Sequence, residues 1–395
     1  MSENVSEQRS NVKWRAVLIS LILIPLNSYW IIQMESVYYS GHSTATSLFF
    51  NVIFSVLVLI ILDIPLKRLF PNLAFSQSEY LTVYIMVSQA SALAGHSMMQ
   101  ILPPAIVAPY GLATPENEWN ELFGRYIPEW LAVSDDKALH EFIKGESTLY
   151  TAWHIKAWLV PVIVWSAFIC VLMFVMICIN IIIRNQWIDR ERLTYPIVQL
   201  PYEMTDKKSR LFRSKLMWIS FIFVGVIDTI NGLHFFSPAV PYLHLKPFDL
   251  GAFFNSRPWN ALGYTPLAFR PYLMGIIFLI PLDIIFSCWF FFFFWKAQLV
   301  VGSALGFQQR PEFPEQSAGA YISLFFIALW ISRRHLWRSL RLLINMGKGK
   351  GLRAEYKYAV TGLICGLAII LIFCWKMGMS IWAASIFSES SKKCF

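Results

Sequence analysis

Charge is scarce in this chain: only 14% of its 395 residues are Asp, Glu, Lys or Arg, against 56% hydrophobic and 16% aromatic. A soluble globular chain carries roughly a quarter charged residues. Nucleotide and hydrolase signatures are also missing, since the sequence holds no P-loop, no G-x-G-x-x-G and no G-x-S-x-G. Any pumping must therefore draw on an ion gradient or a separate subunit. The histidines (His42, His96, His140, His154, His234, His244 and His335) include no H-x-x-x-H pair, so neither a metal nor a cofactor is expected. There is no C-x-x-C. Cys170, Cys178, Cys288, Cys365 and Cys374 lie in apolar stretches and Cys394 in the tail, which reads as small apolar packing residues rather than disulfides. No repeat with a period of 20–50 residues is evident.

Long apolar runs take the place of charge. Pro161 to Ile183 carries no charged residue, and at about 1.5 Å per residue it spans a ~30 Å hydrocarbon core. Similar stretches at 16–34, 46–66, 80–103, 157–183, 215–236, 271–296, 318–332 and 358–376 predict an all-α, polytopic transmembrane helical bundle. It should have about seven to eight membrane segments, with a small external helical insert. The net charge of +9 would suit nucleic acid, but the excess sits in short loops beside apolar helices, where it sets orientation. The expected partners are membrane lipid, a small-molecule substrate and further copies of the chain in a homo-oligomer, and not nucleic acid.

Residues 184–215 carry Arg184, Arg190, Arg192, Lys207, Lys208, Arg210, Arg213 and Lys215 against four acids. Residues 105–155 are the reverse, with eight acids against Arg125, Lys137 and Lys144. The positive-inside rule places the N-terminus, 67–79 and 184–215 in the cytoplasm of an inner (plasma) membrane protein, and the 105–155 insert outside. The basic stretch 333–357, with Glu355 as its one acid, should also be cytoplasmic. Three full crossings after residue 215 would put it outside, so 299–332 is expected to be a re-entrant or interfacial element that enters and leaves on the cytoplasmic side. Ala16–Ile32 follows Lys13 and Arg15 and lacks a small-residue cleavage site, as in an uncleaved signal-anchor. The organisation expected is a disordered cytoplasmic tail at 1–12, a membrane domain at 13–388 and an aberrant tail at 389–395. Ile381–Phe387 resembles the start of another apolar helix cut off by Ser-Glu-Ser-Ser-Lys-Lys-Cys-Phe, the pattern of a truncated product.

Ionisable groups at membrane depth are functional candidates by default, at a cost of ~2.5–3.5 kcal/mol on insertion scales. Asp228 and Asn231 share a helix face in VGVIDTINGLH, and Asp283 follows Pro281 in LIPLDIIFSCW. Both carboxylates are candidates for proton coupling. Asp63 lies four residues before Lys67, which suits a local ion pair. The stretch 80–103 is the most polar, and Gln89, His96 and Gln100 fall on one broad stripe. With Asn231 they are the candidate substrate contacts. Ser88, Ser91 and Gly95 form a small-residue face open to close helix approach.

The cytoplasmic stretch after the 157–183 segment reads Glu191-Arg192-Leu193-Thr194-Tyr195-Pro196-Ile197-Val198-Gln199-Leu200-Pro201. Pro196 and Pro201 disfavour helix at Tyr195 and Leu200, so an extended turn is expected. Here the chain resembles a family of large, uncharacterised bacterial integral membrane proteins with an E-R-L-[ST]-[FY]-P-[LI]-V-Q-L-P element. The residues carrying the resemblance are Glu191, Arg192, Leu193, Tyr195, Pro196, Gln199 and Pro201, joined by Gln316–Ala320, Arg333–Leu336 and Gly378–Ser380. The first part of the element, Glu191–Pro196 (E-[KR]-L-x-[FY]-P), is also similar to an element in oligopeptide transporters, which are gradient-driven carriers of peptides and metal chelates, whereas Ile197-Val198-Gln199 stands where those carriers have small residues. That resemblance implies a gradient-driven carrier and not its substrate; the function expected is secondary transport of a small polar or peptide-like solute, with no enzymatic activity. The rivals are a membrane enzyme acting on lipid or glycan through His140 and Glu141 at the outer surface, and a non-catalytic component binding anionic lipid through 333–357.

Overall fold

A computed structural model describes residues 12–39, 41–45, 48–145, 147–185, 187–188, 195–206, 209, 211–243, 247–268, 270–278, 280–307, 313–344 and 352–380. The helices in chain order begin with α1 (Trp14–Ile32, continued by a π-helical turn at Gln33–Val37), α2 (Phe50–Leu69), α3 (Gln77–Ala94) and α4 (His96–Met99). Then come α5 (Leu102–Gly111), α6 (Trp119–Leu122), α7 (Asp136–Lys144), α8 (Ala152–Asn185), α9 (Pro196–Thr205) and α10 (Lys215–Phe236). The last are α11 (Pro271–Phe278), α12 (Leu282–Ala304), α13 (Phe313–Ile344) and α14 (Leu352–Lys376). Helix dominates because backbone in hydrocarbon must satisfy its own hydrogen bonds.

Among the described residues, six helices are long and apolar enough to cross a membrane: Trp14–Val37, Phe50–Leu69, Ala152–Arg184, Lys215–Phe236, Leu282–Ala304 and Glu355–Lys376. The expected all-α membrane class holds, and six of the expected seven to eight segments are present as such helices among the described residues. The 80–103 stretch is divided at Gly95. The 271–296 stretch is interrupted before Leu282, where Pro281 has no N–H to continue a ladder, and α12 runs on to Ala304. The 318–332 stretch lies inside α13, an unbroken helix of 32 residues. Re-entry through non-helical backbone is therefore not seen over 313–332, because α13 satisfies its own backbone throughout.

The chain divides into two compact units, one of Met1–Met99 and Thr194–Glu312, the other of Gln100–Leu193 and Phe313–Phe395. In the first, α1, α2 and α3 close around Ala16, Val52, Val83 and Val87. α9 lies against α2 and α3 with Pro201 fully buried. Pro196 opens α9 at the position where a missing N–H costs nothing. Leu200 is helical, contrary to the extended turn expected before Pro201, since burial against α2 and α3 outweighs the local preference. The loop between α10 and α11 holds a short antiparallel pair, Phe248–Asp249 with Pro266–Leu267.

In the second unit, α8 and α14 pack along their length around Val175, Ile370 and Cys374. Close approach depends on Gly362 and Gly366, a small-xxx-small pair. A Cβ at Gly362 would sit 2.9 Å from Cys178 Sγ and from Phe174 Cζ, and one at Gly366 would collide with Val175 Cγ2. The buried Cys178 and Cys374 are free thiols that fill this interface. Helices α5 to α7 form a cap around Ile106, Val107, Val133, Ala138 and Leu139, packed on Trp158 and Trp165 of α8. Asp135 caps α7: its Oδ1 accepts from Ala138 N and from Trp153 Nε1, each at 2.9 Å. These donors, the Ala138 N–H first, hold its carboxyl below the ordinary value.

Two outcomes follow from this packing. Gly366→Ala should destabilise the α8–α14 pair by about 1–3 kcal/mol through overpacking, read as a lower melting midpoint in detergent; an unchanged midpoint would contradict the close approach. Because folding depresses the Asp135 carboxyl, its contribution is complete above the unfolded pKa of about 3.9 and is lost as pH falls through the lower folded value. Hydrogen-exchange protection of residues 136–144 should therefore weaken below about pH 4 and lose that acid dependence in Asp135→Asn.

Candidate functional site

Polar side chains line the inside of the α1–α2–α3 assembly at three levels. At one end Arg15 forms a two-pronged ion pair with Glu79, Nε to Oε1 at 2.5 Å and Nη2 to Oε2 at 2.7 Å. Glu79 is fully buried and completes a capping box with Ser76. Beside it the buried Asp63 meets Lys67 Nζ and the Tyr80 hydroxyl, each at 2.6 Å, and accepts from Phe75 N at 3.1 Å. The expected Asp63–Lys67 pair is thus present within a larger cluster. In the middle, Asn51 Nδ2 donates to Asn27 Oδ1 and Ser91 Oγ, both at 3.0 Å, and Asn27 Nδ2 donates to Ser55 Oγ at 3.1 Å. Each such interhelical bond contributes about 0.6–2 kcal/mol in a membrane.

The far end holds Glu35, a carboxylate of zero exposure. It sits on the π-helical turn that continues α1, and π turns concentrate at functional sites. Its Oε1 accepts from Ser43 Oγ at 2.9 Å and Thr44 N at 2.6 Å. Its Oε2 accepts from Thr44 Oγ1 and His96 N, both at 2.8 Å. The His96 N–H opens α4 directly after the break at Gly95, so one carboxylate joins the irregular end of α1 to the interruption following α3. Only glycine fits at the break, because a Cβ at Gly95 would collide with Thr44 Oγ1, Cβ and Cγ2. The His42 and His96 rings lie 4.8 Å apart beside it. The result is a buried negative charge held by donors from two distant chain segments, next to two imidazoles and a helix break.

The residues singled out from sequence separate across the structure. Gln89 is exposed on α3, and His96, also exposed, belongs to the Glu35 cluster through its backbone. The break at Gly95 resets the helical phase, so Gln89, His96 and Gln100 do not share one continuous helix, and Gln100 opens the second unit. Asn231 closes a loop: its Oδ1 accepts from Leu243 N at 2.8 Å and its Nδ2 donates to Leu243 O at 3.0 Å. Asp228 is exposed on α10, a helix with no buried residue. Asp283 is exposed in the first turn of α12 rather than mid-segment. Of the motif, Glu191, Arg192 and Leu193 lie outside the described residues. Tyr195 and Gln199 are exposed at the start of α9, which Pro196 opens, and Pro201 is buried. In the cap, His140 is exposed, whereas Glu141 Oε2 is 2.8 Å from His154 Nε2.

Three buried charges, Glu35, Glu79 and Lys296, stand at the edges of apolar runs, where sequence alone does not separate them from solvated flanks. Glu35 follows the 16–34 stretch by one residue. Lys296 closes 271–296, yet it lies well inside α12 at 4% exposure. Its Nζ donates to Leu262 O at 2.7 Å and Tyr264 O at 2.8 Å, with the Trp295 ring 4.7 Å away. It fastens the loop after α10 to the helix. The signal available, in the case of Lys296, was a lone charge with apolar residues resuming after it at Ala297 and Leu299–Val301.

Six candidate spans and a hydrogen-bonded polar interior define a multi-pass helical integral membrane protein. Residues 6–390 match a family of unknown function (DUF6785), and the chain belongs to that family. No curated protein and no solved structure gives a significant match.

Gly95→Ala should cost about 1–3 kcal/mol through steric displacement of Thr44, lowering the melting midpoint. Gly232→Ala, where a Cβ meets nothing within 4 Å, should not lower it; equal effects of the two would remove the close approach as the reason for glycine at 95.

Proposed function

We propose that the protein is a gradient-driven secondary transporter of a small polar or peptide-like solute. It would lie in the inner membrane with its N-terminus in the cytoplasm, as the basic 184–215 and 333–357 stretches favour. The observation that carries this reading is Glu35, wholly buried on a π turn and bonded to the backbone that reopens helix after Gly95. Carriers commonly place ion and solute sites at interrupted helices, where irregular backbone lines a sheltered cavity. Protonating Glu35 would turn one acceptor oxygen into a donor. The protonated oxygen would accept more weakly, so the bond it receives from Thr44 N or His96 N would weaken and proton uptake would loosen the break. The solute would meet the exposed polar side chains Gln89 on α3 and His96 on α4. Asp228 and Asp283, exposed on α10 and α12, stand as further proton carriers on surfaces completed by another copy of the chain. The resemblance of Glu191–Pro196 to the oligopeptide-transporter element supports the carrier class.

The test uses proteoliposomes containing a pH-sensitive dye, an imposed proton gradient and a panel of amino acids, dipeptides and tripeptides. Solute-dependent proton entry is expected with the unaltered protein, and a loss of at least about tenfold in Glu35→Gln, equivalent to 1.4 kcal/mol. Asp228→Asn and Asp283→Asn should show smaller losses. No solute-dependent proton entry across the panel, or a full rate in Glu35→Gln, would reject the reading.

A further inference from the structure

The second unit carries a groove of about 420 Å³ between α8 and α14, within the roughly 300–1,000 Å³ range of small-molecule sites. Its wall on α8 follows one helical face, Val164, Ala167, Phe168 and Val171, and these positions cover about 10 Å of helix length. Phe373 of α14 stacks on Phe168 with ring centroids 4.6 Å apart, forming the floor. Trp130, from the cap, meets Phe373 edge-on at 5.6 Å. Lys376 is the single charged residue in the lining and the last residue of α14. It makes no ion pair among the described residues, and its Nζ lies 5.5 Å from the Trp375 ring.

The chemistry of this groove is uneven: apolar along its length and cationic at one mouth. The mouth coincides with the end of the Glu355–Lys376 span, and Trp130 and Trp375 stand at the same end. Tryptophan and lysine collect at this level, where hydrocarbon gives way to lipid headgroups. A water-soluble anion would find no polar partner beyond the ammonium, and a neutral hydrocarbon would leave the ammonium unmatched.

We propose that this groove is a binding site for an anionic phospholipid. One acyl chain would lie between α8 and α14 over the Phe168–Phe373 pair, and the headgroup phosphate would meet Lys376. The site is independent of the transport reading, because none of its residues belongs to the Glu35 cluster.

The full chain would be reconstituted in nanodiscs of equal phosphatidylglycerol and phosphatidylcholine, released into detergent, and its retained lipid counted by native mass spectrometry. The unaltered protein should retain phosphatidylglycerol in preference to phosphatidylcholine. Lys376→Glu should reduce that preference by about fivefold or more, the size expected of one basic side chain near an anionic lipid surface, while Lys376→Arg keeps it. Ala167→Trp should fill the groove and lower retention of both lipids. If that variant fails to fold, the Lys376→Arg and Lys376→Glu pair decides. Equal retention of the two lipids by the unaltered protein, or an unchanged preference in Lys376→Glu, would overturn the proposal. Retention that appears only after residues 381–395 are deleted would assign the groove to the chain's own apolar segment at 381–387 and overturn it as well.

Discussion

The bond network of Glu35 is the constraint on which the first unit turns. A carboxylate at zero exposure within a span has no water to accept from, so each lone pair needs a protein donor. Those donors come from the loop after the π turn, Ser43 and Thr44, and from the backbone after α3, His96. Meeting all of them at once requires α1 to end in a π turn, the 41–45 loop to fold inward, and α3 to stop at Gly95 so that an N–H is left free. The glycine follows from the same demand, because Thr44 cannot reach the carboxylate unless the chain opposite has no side chain. Four features that look unrelated along the sequence thus have one electrostatic cause.

The rest of the α1–α3 interior obeys the same rule with different partners. Arg15 and Glu79 pair at the other end of the assembly, Asp63 divides its oxygens between Tyr80, Phe75 and Lys67, and the Asn27, Asn51, Ser55 and Ser91 group links three helices by neutral hydrogen bonds. Polar cross-links of this kind fix helix register, because sliding one helix by a turn would strand several buried groups together. The second unit is held differently. Its α8–α14 contact is apolar, and it gains adhesion from backbone proximity at Gly362 and Gly366, where van der Waals packing replaces the hydrogen bonds. The first unit therefore concentrates buried hydrogen-bonded polar groups, and the second is held by apolar packing.

The membrane class and most of the spans were legible along the chain, as was the Asp63–Lys67 pair, because a helix four residues apart makes its own neighbours. The amphipathic cap over α8 could also be read, since Asp135 announces α7 in the usual N-cap manner. The site was not legible to the same degree. Asn231 and Asp228 share a helix face, but Asn231 serves the loop at Leu243, a partner twelve residues away that spacing rules do not reach. The stripe of Gln89, His96 and Gln100 assumed an unbroken helix, and the residue that breaks it was taken for part of a small-residue face. The resemblance-bearing motif shows only its second half among the described residues, where Pro201 proves to be a packing residue against α2 and α3.

Hydropathy over some twenty residues is a local quantity, so the chain's own composition was enough to dictate a helical protein of the membrane, its long spans and its acidic cap. Which charges are buried is not local. Glu35 and Lys296 stand at the edges of apolar runs and look like solvated flanks until distant segments, Ser43–Thr44 with His96 in one case and Leu262–Tyr264 in the other, supply donors and acceptors to them. Burying a charge is permitted only when such partners converge. That convergence depends on how non-neighbouring helices pack, which only the folded chain decides.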